Sequence, residues 1–504
     1  MTAGESFPRL LLAEWTKLRS VSRWVVTLLA ATVLTIGLSV LAASGNRTDV
    51  NQNTDLVSAP DGEPVSDSFY FVHQPVSGDL TLTVRVASLI PPQERSQVRM
   101  GGEQMTLLRN PDPFAGAAAG IMIKDGTRPG SSYSAVMLTG AHGVRMHTDF
   151  TDDRKGSASR GTRWLRLVRA GNTITGYESA DGATWQRIGA ATPANLPATA
   201  EVGLYVSSAP SIYVSRGGGT SSAGGRPTRA TATFDSVVLT SAAQFRGEQV
   251  GVPAGLEKPE KVDSEGGGEY SASGNAFAVT GTGMVGPNPP DDDLVEGALI
   301  GVIAGIMALI GVGVLFATAE YRRAMIRTTF AATPRRGRVL AAKAIVLGLS
   351  AYVVSLVGVV AAFVLALPTL RSHGFTEPAF PAPSLTDGPV LRALLLTAGF
   401  MALVAVFGMS VGMLLRRSAI AITLTIVLVL MPVILGTVLP GTSPRWLMYT
   451  TLAGGLATER AKPPTITLAE PWAMIGPWAG IGVVAAYAAL ALGLAWWRLR
   501  RTDT

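Results

Sequence analysis

The chain has 504 residues, 47% of them hydrophobic and 15% charged, with a mean hydropathy of +0.32, a formal net charge of +7 and no cysteine. Hydropathy of this size in a chain with several long uncharged runs reads as a membrane protein. The missing thiols exclude disulfides and thiol-ligated metals, and nucleic acid is not implied, because the basic residues are distributed as membrane topology requires.

In chain order, residues 1–23 set Leu10, Leu11, Leu12, Trp15 and Leu18 against Glu14, Lys17 and Arg19, the pattern of an amphipathic helix at a membrane surface. Residues 24–43 carry no charge and are long enough to span. Signal-peptide cores run to about 7–15 residues, so this run reads as a retained first span. A linker, 44–65, leads into a different material.

Residues 66–241 alternate with period two. Leu80, Leu82, Val84 and Val86 interleave with Thr81, Thr83 and Arg85 as a half-buried strand does. Further strands are predicted at 120–124, 133–139, 144–148, 164–169, 173–178, 185–188, 201–206 and 233–239. Gly171-Asn172 and Asp181-Gly182 supply tight turns. Short strands at this spacing predict a β-sandwich. Residues 215–228, rich in Gly and Ser, read as a flexible loop, and 242–296 as a Gly/Pro-rich connector in which 275–286 adds a strand. Asp149, Asp152 and Asp153 read as solvated carboxylates and no metal is expected. His73, His142, His147 and His373 have no metal or triad spacing.

Five more uncharged runs follow, 297–319, 344–370, 393–415, 418–444 and 472–497, each beyond the roughly 20 residues a crossing needs. Six spans put both termini on one side. Segments then assigned to the inside hold sixteen Lys/Arg and four Asp/Glu, against twenty-six and thirty-one outside, and an excess of positives marks the cytoplasmic side. Small-residue pairs Gly301/Gly305, Gly408/Gly412 and Gly476/Gly480 permit close helix packing. Pro432 is a candidate kink, and 449–462 is either re-entrant or a surface helix. The expected fold class is an α-helical polytopic membrane protein of six transmembrane helices with an inserted extracytoplasmic all-β sandwich.

The segment 320–343 carries seven basic residues, among them Arg323, Arg327, Arg335, Arg336 and Lys343, and one acid, Glu320. Glu320, Arg323 and Arg327 share a helix face, free to pair with one another or to meet a partner. Pro334 ends or kinks that helix. No Asp, Glu, Lys, Arg or His lies within the six uncharged runs, which argues against a proton-coupled carrier. No phosphate-binding GxxxxGK[ST] loop occurs either. No catalytic, cofactor-binding or metal residues are assigned.

Two resemblances follow. GDLTLTVRV, AGIMIKDG, WLRLVRAGNTITGYESADGATW and TATFDSVVL resemble concanavalin-like, laminin-G-type sandwiches. In the motif Ser179-x-Asp181-Gly182-x-x-Trp185 the Asp-Gly pair reads as a turn and Trp185 as a core residue. AEWTKLRS, the large insertion, AEYRR and RTTFAATPRRGRVLAAKA resemble the bacterial type-2 ABC transporter permeases, over 1–45 and 295–504. That resemblance implies a membrane subunit of an exporter in the bacterial cytoplasmic membrane, paired as a homodimer or with a second permease. A separate ATPase subunit, which would carry the ATP and magnesium, would dock on 320–343 through Glu320, Arg323, Arg327, Pro334, Arg335, Arg336 and Lys343. The chain departs from the family in having Ala324-Met325 after the acid and a larger insertion. The alternative is a non-transporting receptor that binds glycan through its sandwich; a membrane-bound hydrolase ranks third.

Overall fold

The computed structural model describes residues 7–47, 57–90, 106–107, 116–217, 220–240, 244–252, 267–288, 292–322, 336–377, 379–438, 444–462 and 475–501. They form two compact units, one helical and one β; the β unit takes in 52–215 and 222–290.

The helical unit begins with α1 (Phe7–Ser20) and α2 (Ser22–Gly45). It continues after the β unit with α3 (Leu294–Leu299), α4 (Val302–Arg322), α5 (Arg336–Ser372), α6 (Gly388–Leu415), α7 (Ser418–Val438), α8 (Pro444–Thr450), a 3-10 helix at Leu452–Glu459, and α9 (Pro477–Arg501). Six helices, α2, α4, α5, α6, α7 and α9, are long and apolar enough to cross a membrane. The sixth starts at Pro477, later than the 472 at which its apolar run begins, and 463–474 lie outside the described residues. α4 and α6 are the most enclosed of the six, with 61% and 67% of their apolar windows buried against 22–39% for the rest, so they form the centre. α5 is 37 residues long, about 55 Å at 1.5 Å per residue.

Small residues set the close crossings. A Cβ at Gly301 or Gly305 would collide with the Thr35 carbonyl or hydroxyl of α2, and Gly301 donates its N–H to Ser39 Oγ at 3.1 Å. Gly408 and Gly412 face α4 at ordinary to tight distances. Of the third pair only Gly480 packs, against the backbone of Gly454. Pro432 lies inside α7 and Pro368 inside α5. The 3-10 helix is buried along its whole length and packs on α6, α7 and α9. It is therefore enclosed by the bundle and is not a surface helix.

The β unit contains β1 (Val65–Asp67), β2 (Phe69–Ser77), β3 (Leu80–Ile90), β4 (Thr106–Leu107), β5 (Ala117–Lys124), β6 (Tyr133–Thr139), β7 (Gly143–Thr148), β8 (Asp152–Lys155), β9 (Arg163–Ala170), β10 (Thr173–Ser179), β11 (Gln186–Ala191), β12 (Thr199–Ser208), β13 (Ser211–Gly217), β14 (Thr220–Arg226), β15 (Ala230–Leu239), β16 (Arg246–Val250), β17 (Glu269–Ser273), β18 (Ala276–Gly281) and β19 (Val285–Pro287). Seven strands in the order β11-β10-β9-β3-β15-β18-β17 make one sheet, and β16-β2-β12-β5-β6-β7-β8 make the other. Neighbours within both are antiparallel. Their inner faces interleave Leu82, Val84, Leu165, Leu167, Phe234 and Val279 with Val72, Ile121, Val136, Val144, Val202 and Leu204 in a single core, as a sandwich requires. The second sheet also buries its outer face, where Phe69, Phe71, Met122, Tyr133, Phe150 and Tyr205 form another cluster.

Two expectations change. The stretch 215–228 is not a loop: it holds the end of β13 and all of β14, which with β4 form a small three-stranded sheet. The connector 242–296 is not only a linker: it contributes β16 to one sheet and β17 and β18 to the other, and buries Val250, Phe277 and Val279. A fragment cut at 66–241 would strip an edge strand from the second sheet, expose β15 in the first, and open the core at Val279. Residues 52–290 expressed alone are expected to give a mostly β circular dichroism spectrum with a cooperative melt. The 66–241 fragment is expected to melt at least about 10 °C lower or to aggregate, as the loss of three buried side chains predicts. Equal melting temperatures would show that the last strands are dispensable.

Candidate functional site

α1 does not use the face its pattern suggests. Leu10, Glu14 and Leu18, spaced by four, are its buried residues, while Leu12 and Trp15 are exposed. Leu10 packs with Val339 and Ala342 of α5, flanked by Phe7 and Leu11. Glu14 is thereby carried into the bundle. There Lys343 Nζ donates to Glu14 Oε2 at 2.7 Å and to Glu320 Oε1 at 2.6 Å. Lys17 Nζ donates to Glu14 Oε1 at 2.8 Å and to Glu320 Oε1 at 3.2 Å. Two acids and two lysines alternate in a neutral ring that ties α1 to α4 and α5. Lys343 is 1% exposed and lies 4.9 Å from the Phe316 ring centroid. Burial would lower the Lys17 pKa, but its contacts with Glu14 and Glu320 outweigh it, and the ammonium holds its proton above the ordinary lysine range.

This changes the reading of Glu320. Among the described residues it pairs with Lys343 and Lys17, and its carboxylate is turned into the protein. Arg323, Arg327, Pro334 and Arg335 lie outside the described residues. Arg336 opens α5 and its Nη1 donates to the Leu499 carbonyl of α9 at 2.8 Å. Nearby, Arg416 caps α6 in the left-handed conformation, φ 57°, with its guanidinium 5.3 Å from the Tyr321 ring centroid. The partners sequence reasoning missed are Glu14 and Lys17; the available signal was the four-residue step from Leu10 through Glu14 to Leu18, which puts the acid on the apolar stripe.

In the β unit the Ser179–Trp185 motif is structural. Asp181 Oδ1 accepts the N–H groups of Ala183 and Thr184 and the Ser179 hydroxyl, at 2.8–2.9 Å; the two backbone N–H bonds lead in holding its carboxyl below the usual carboxylate range. Gly182 takes φ +77°, and a Cβ there would strike the Trp164 ring. Trp185 is not a core residue: it is half-buried just before β11, with the Arg166 guanidinium 3.7 Å over its ring. Asp149 is half-buried and accepts from the backbone of Tyr133 and Ala194 at 2.9 and 2.7 Å. Among the described residues no acid or histidine cluster could hold a metal. The outer face of the second sheet does hold a cavity of about 390 Å³, lined in part by Met137, Thr139, Arg145, His147, Asp153 and Tyr205. Asp153 accepts from Arg145 Nε at 2.9 Å and lies 3.0 Å from His147 Nε2. Burial pushes the His147 pKa down despite Asp153, and the Arg145–Asp153 ion pair lines the cavity beside it.

Compared with models of known families the chain matches none, and no curated protein compared with it matches. Among solved structures, the crystal structure of a functionally unknown protein from Saccharomyces cerevisiae is 19% identical, over 35% of this chain and 77% of that one, with a TM-score of 0.19; a likeness at that score carries no argument.

Removing one member of the ring leaves an unbalanced buried charge, at a cost of about 3–5 kcal/mol. Lys343→Met is therefore expected to lower the thermal unfolding midpoint of the purified chain strongly. Lys343→Met combined with Glu320→Gln, which leaves Glu14 with Lys17, should recover part of that loss. Equal midpoints for the single and double variants would show that charge balance is not what the ring supplies.

Proposed function

We propose that the chain is the membrane subunit of an ATP-driven exporter, with ATP hydrolysed on a separate subunit that docks on the basic segment between α4 and α5. The observation that carries this reading is the buried ring. Glu320 and Lys343 sit at the two ends of the segment, and the ring fixes both to α1. A docking surface that must pass force to a bundle needs anchored ends, and the six basic residues of the segment other than the ring's Lys343 favour an acidic partner surface. The chain holds no phosphate-binding loop of its own. On this reading the six apolar helices cross a bacterial cytoplasmic membrane, the ring and both termini lie on the cytoplasmic side, and the β unit is extracytoplasmic. The second reading, a receptor that binds glycan, draws on the cavity of the second sheet.

Because Glu320 is part of the ring and Arg336 holds α9, the probes for docking are Arg335 and the exposed Arg338. Arg335→Glu with Arg338→Glu is expected to abolish co-purification of an ATPase and ATP-driven export while leaving expression and melting temperature unchanged. Retention of both activities would remove the docking assignment, and absence of any ATPase from the native complex would favour the receptor.

Orientation is tested separately. In a chain without cysteine, Asn172→Cys, on an exposed hairpin turn of the β unit, should react with an impermeant maleimide on intact cells. Arg417→Cys, exposed between α6 and α7, should react only after permeabilisation. The reverse pattern would invert the topology.

A further inference from the structure

Glu459 ends the buried 3-10 helix. It is 6% exposed, and its Oε1 has no hydrogen-bond partner among the described residues. Several polar groups on the elements packed against the 3-10 helix have partners other than Glu459. From α3, Glu296 pairs with Arg460, Oε2 to Nε at 3.1 Å. Asp293 accepts the N–H groups of Val295, Ala461 and Lys462 at 2.7–2.9 Å. From α6, Arg392 donates to the carbonyls of Arg460 and Ala461, and the Thr397 hydroxyl meets that of Thr458 at 3.3 Å. From α9, the Tyr487 hydroxyl bonds the Thr450 carbonyl; Tyr449 of α8 and Lys462 are wholly or partly exposed. α7 has no titratable residue. Among the described residues the charge that bears on Glu459 is that of Glu296, and it is of the same sign.

We propose that Glu459 is a proton-binding site: its carboxyl is neutral while the 3-10 helix is seated in the bundle, and loss of the proton to water unseats that helix. A carboxylate largely out of water beside Glu296, one of whose oxygens has no donor among the described residues, is much costlier than the acid. Burial, with Glu296 adding to it, pushes this carboxyl well above the usual range. The sign follows from linkage. The seated state binds a proton that the unseated state, with an ordinary carboxyl, releases. Seating is therefore strongest at low pH and weakens as pH rises from the ordinary carboxyl range towards the raised value. The site does not depend on the exporter reading, because it stands on the packing of the 3-10 helix alone. The six uncharged runs had argued against a proton-coupled carrier; Glu459 lies outside them, in a segment between two runs.

The test uses the full chain in lipid nanodiscs. Leu456→Cys, within the 3-10 helix and 7% exposed, reports seating by its rate of maleimide labelling. Asn172→Cys, exposed, corrects for the pH dependence of the thiol itself. The corrected rate is expected to rise with pH, by up to about tenfold per unit, the slope for release of one proton. In a Glu459→Gln background, which mimics the neutral acid, it should be flat and low. Infrared spectra at neutral pH should contain a protonated-carboxyl stretch that Glu459→Gln removes. A corrected rate independent of pH in the otherwise unaltered chain, or an unchanged carboxyl band, overturns the proposal. So does a pH response that appears in sodium and vanishes in choline, which would make the ligand a metal cation. Glu459→Gln should also melt as the parent does at pH 6; failure of that variant to fold would count against a neutral carboxyl.

Discussion

Two carboxylates and the ammonium of Lys343 are taken out of water together, with the part-exposed Lys17 closing the ring, and most of the organisation of the helical unit's basic end follows from that. Each charge alone would cost several kcal/mol to bury. As an alternating ring, Glu14–Lys17–Glu320–Lys343, they compensate one another only if α1, α4 and α5 stand in one arrangement. The ring does not have to add net stability to matter. Its value is selectivity, since a sliding of α1 by one turn would separate Glu14 from Lys343 and Lys17 from Glu320. The apolar contacts of Leu10 with Val339 and Ala342 supply adhesion, and the ring supplies the register.

What the sequence made legible follows from how many faces of an element are buried. Strands with one apolar and one polar face, such as β3 and β9, alternate and were recognised close to their bounds. β2 was missed although it is paired on both sides within its sheet. Its Phe69-Tyr70-Phe71-Val72 is apolar on both sides because the second sheet is covered on both faces, so the period of two vanishes. β8, β16 and β17 were missed for the opposite reason. As outermost strands they carry Asp152-Asp153-Arg154-Lys155, Arg246-Gly247-Glu248 and Glu269, charges that deter pairing with another chain. The long apolar helices were the easiest part, since length and absence of charge suffice.

The charged sites were harder to read because burial, not residue type, gives them meaning. Glu320 and Lys343 stood out in the sequence, but as members of a basic surface; their partners come from residues 14 and 17, some three hundred positions away. Glu459 was indistinguishable from a loop acid until the segment before it proved to be buried. In the β unit the Asp181-Gly182 turn was correctly placed because its bonds are local, whereas the environment of Trp185 depends on Arg166 from a strand two places away.

The length of α5 has a mechanical consequence. A hydrocarbon layer about 30 Å thick takes roughly 20 of its 37 residues, so several turns continue past it as an unbroken rod. Lys343 grips that rod one or two turns from its start at Arg336. The remainder, through Pro368, runs on past the grip. It is a lever with its fulcrum near one end: a displacement of an ångström at Arg336 reaches the far end amplified severalfold, without any bond within the helix having to break.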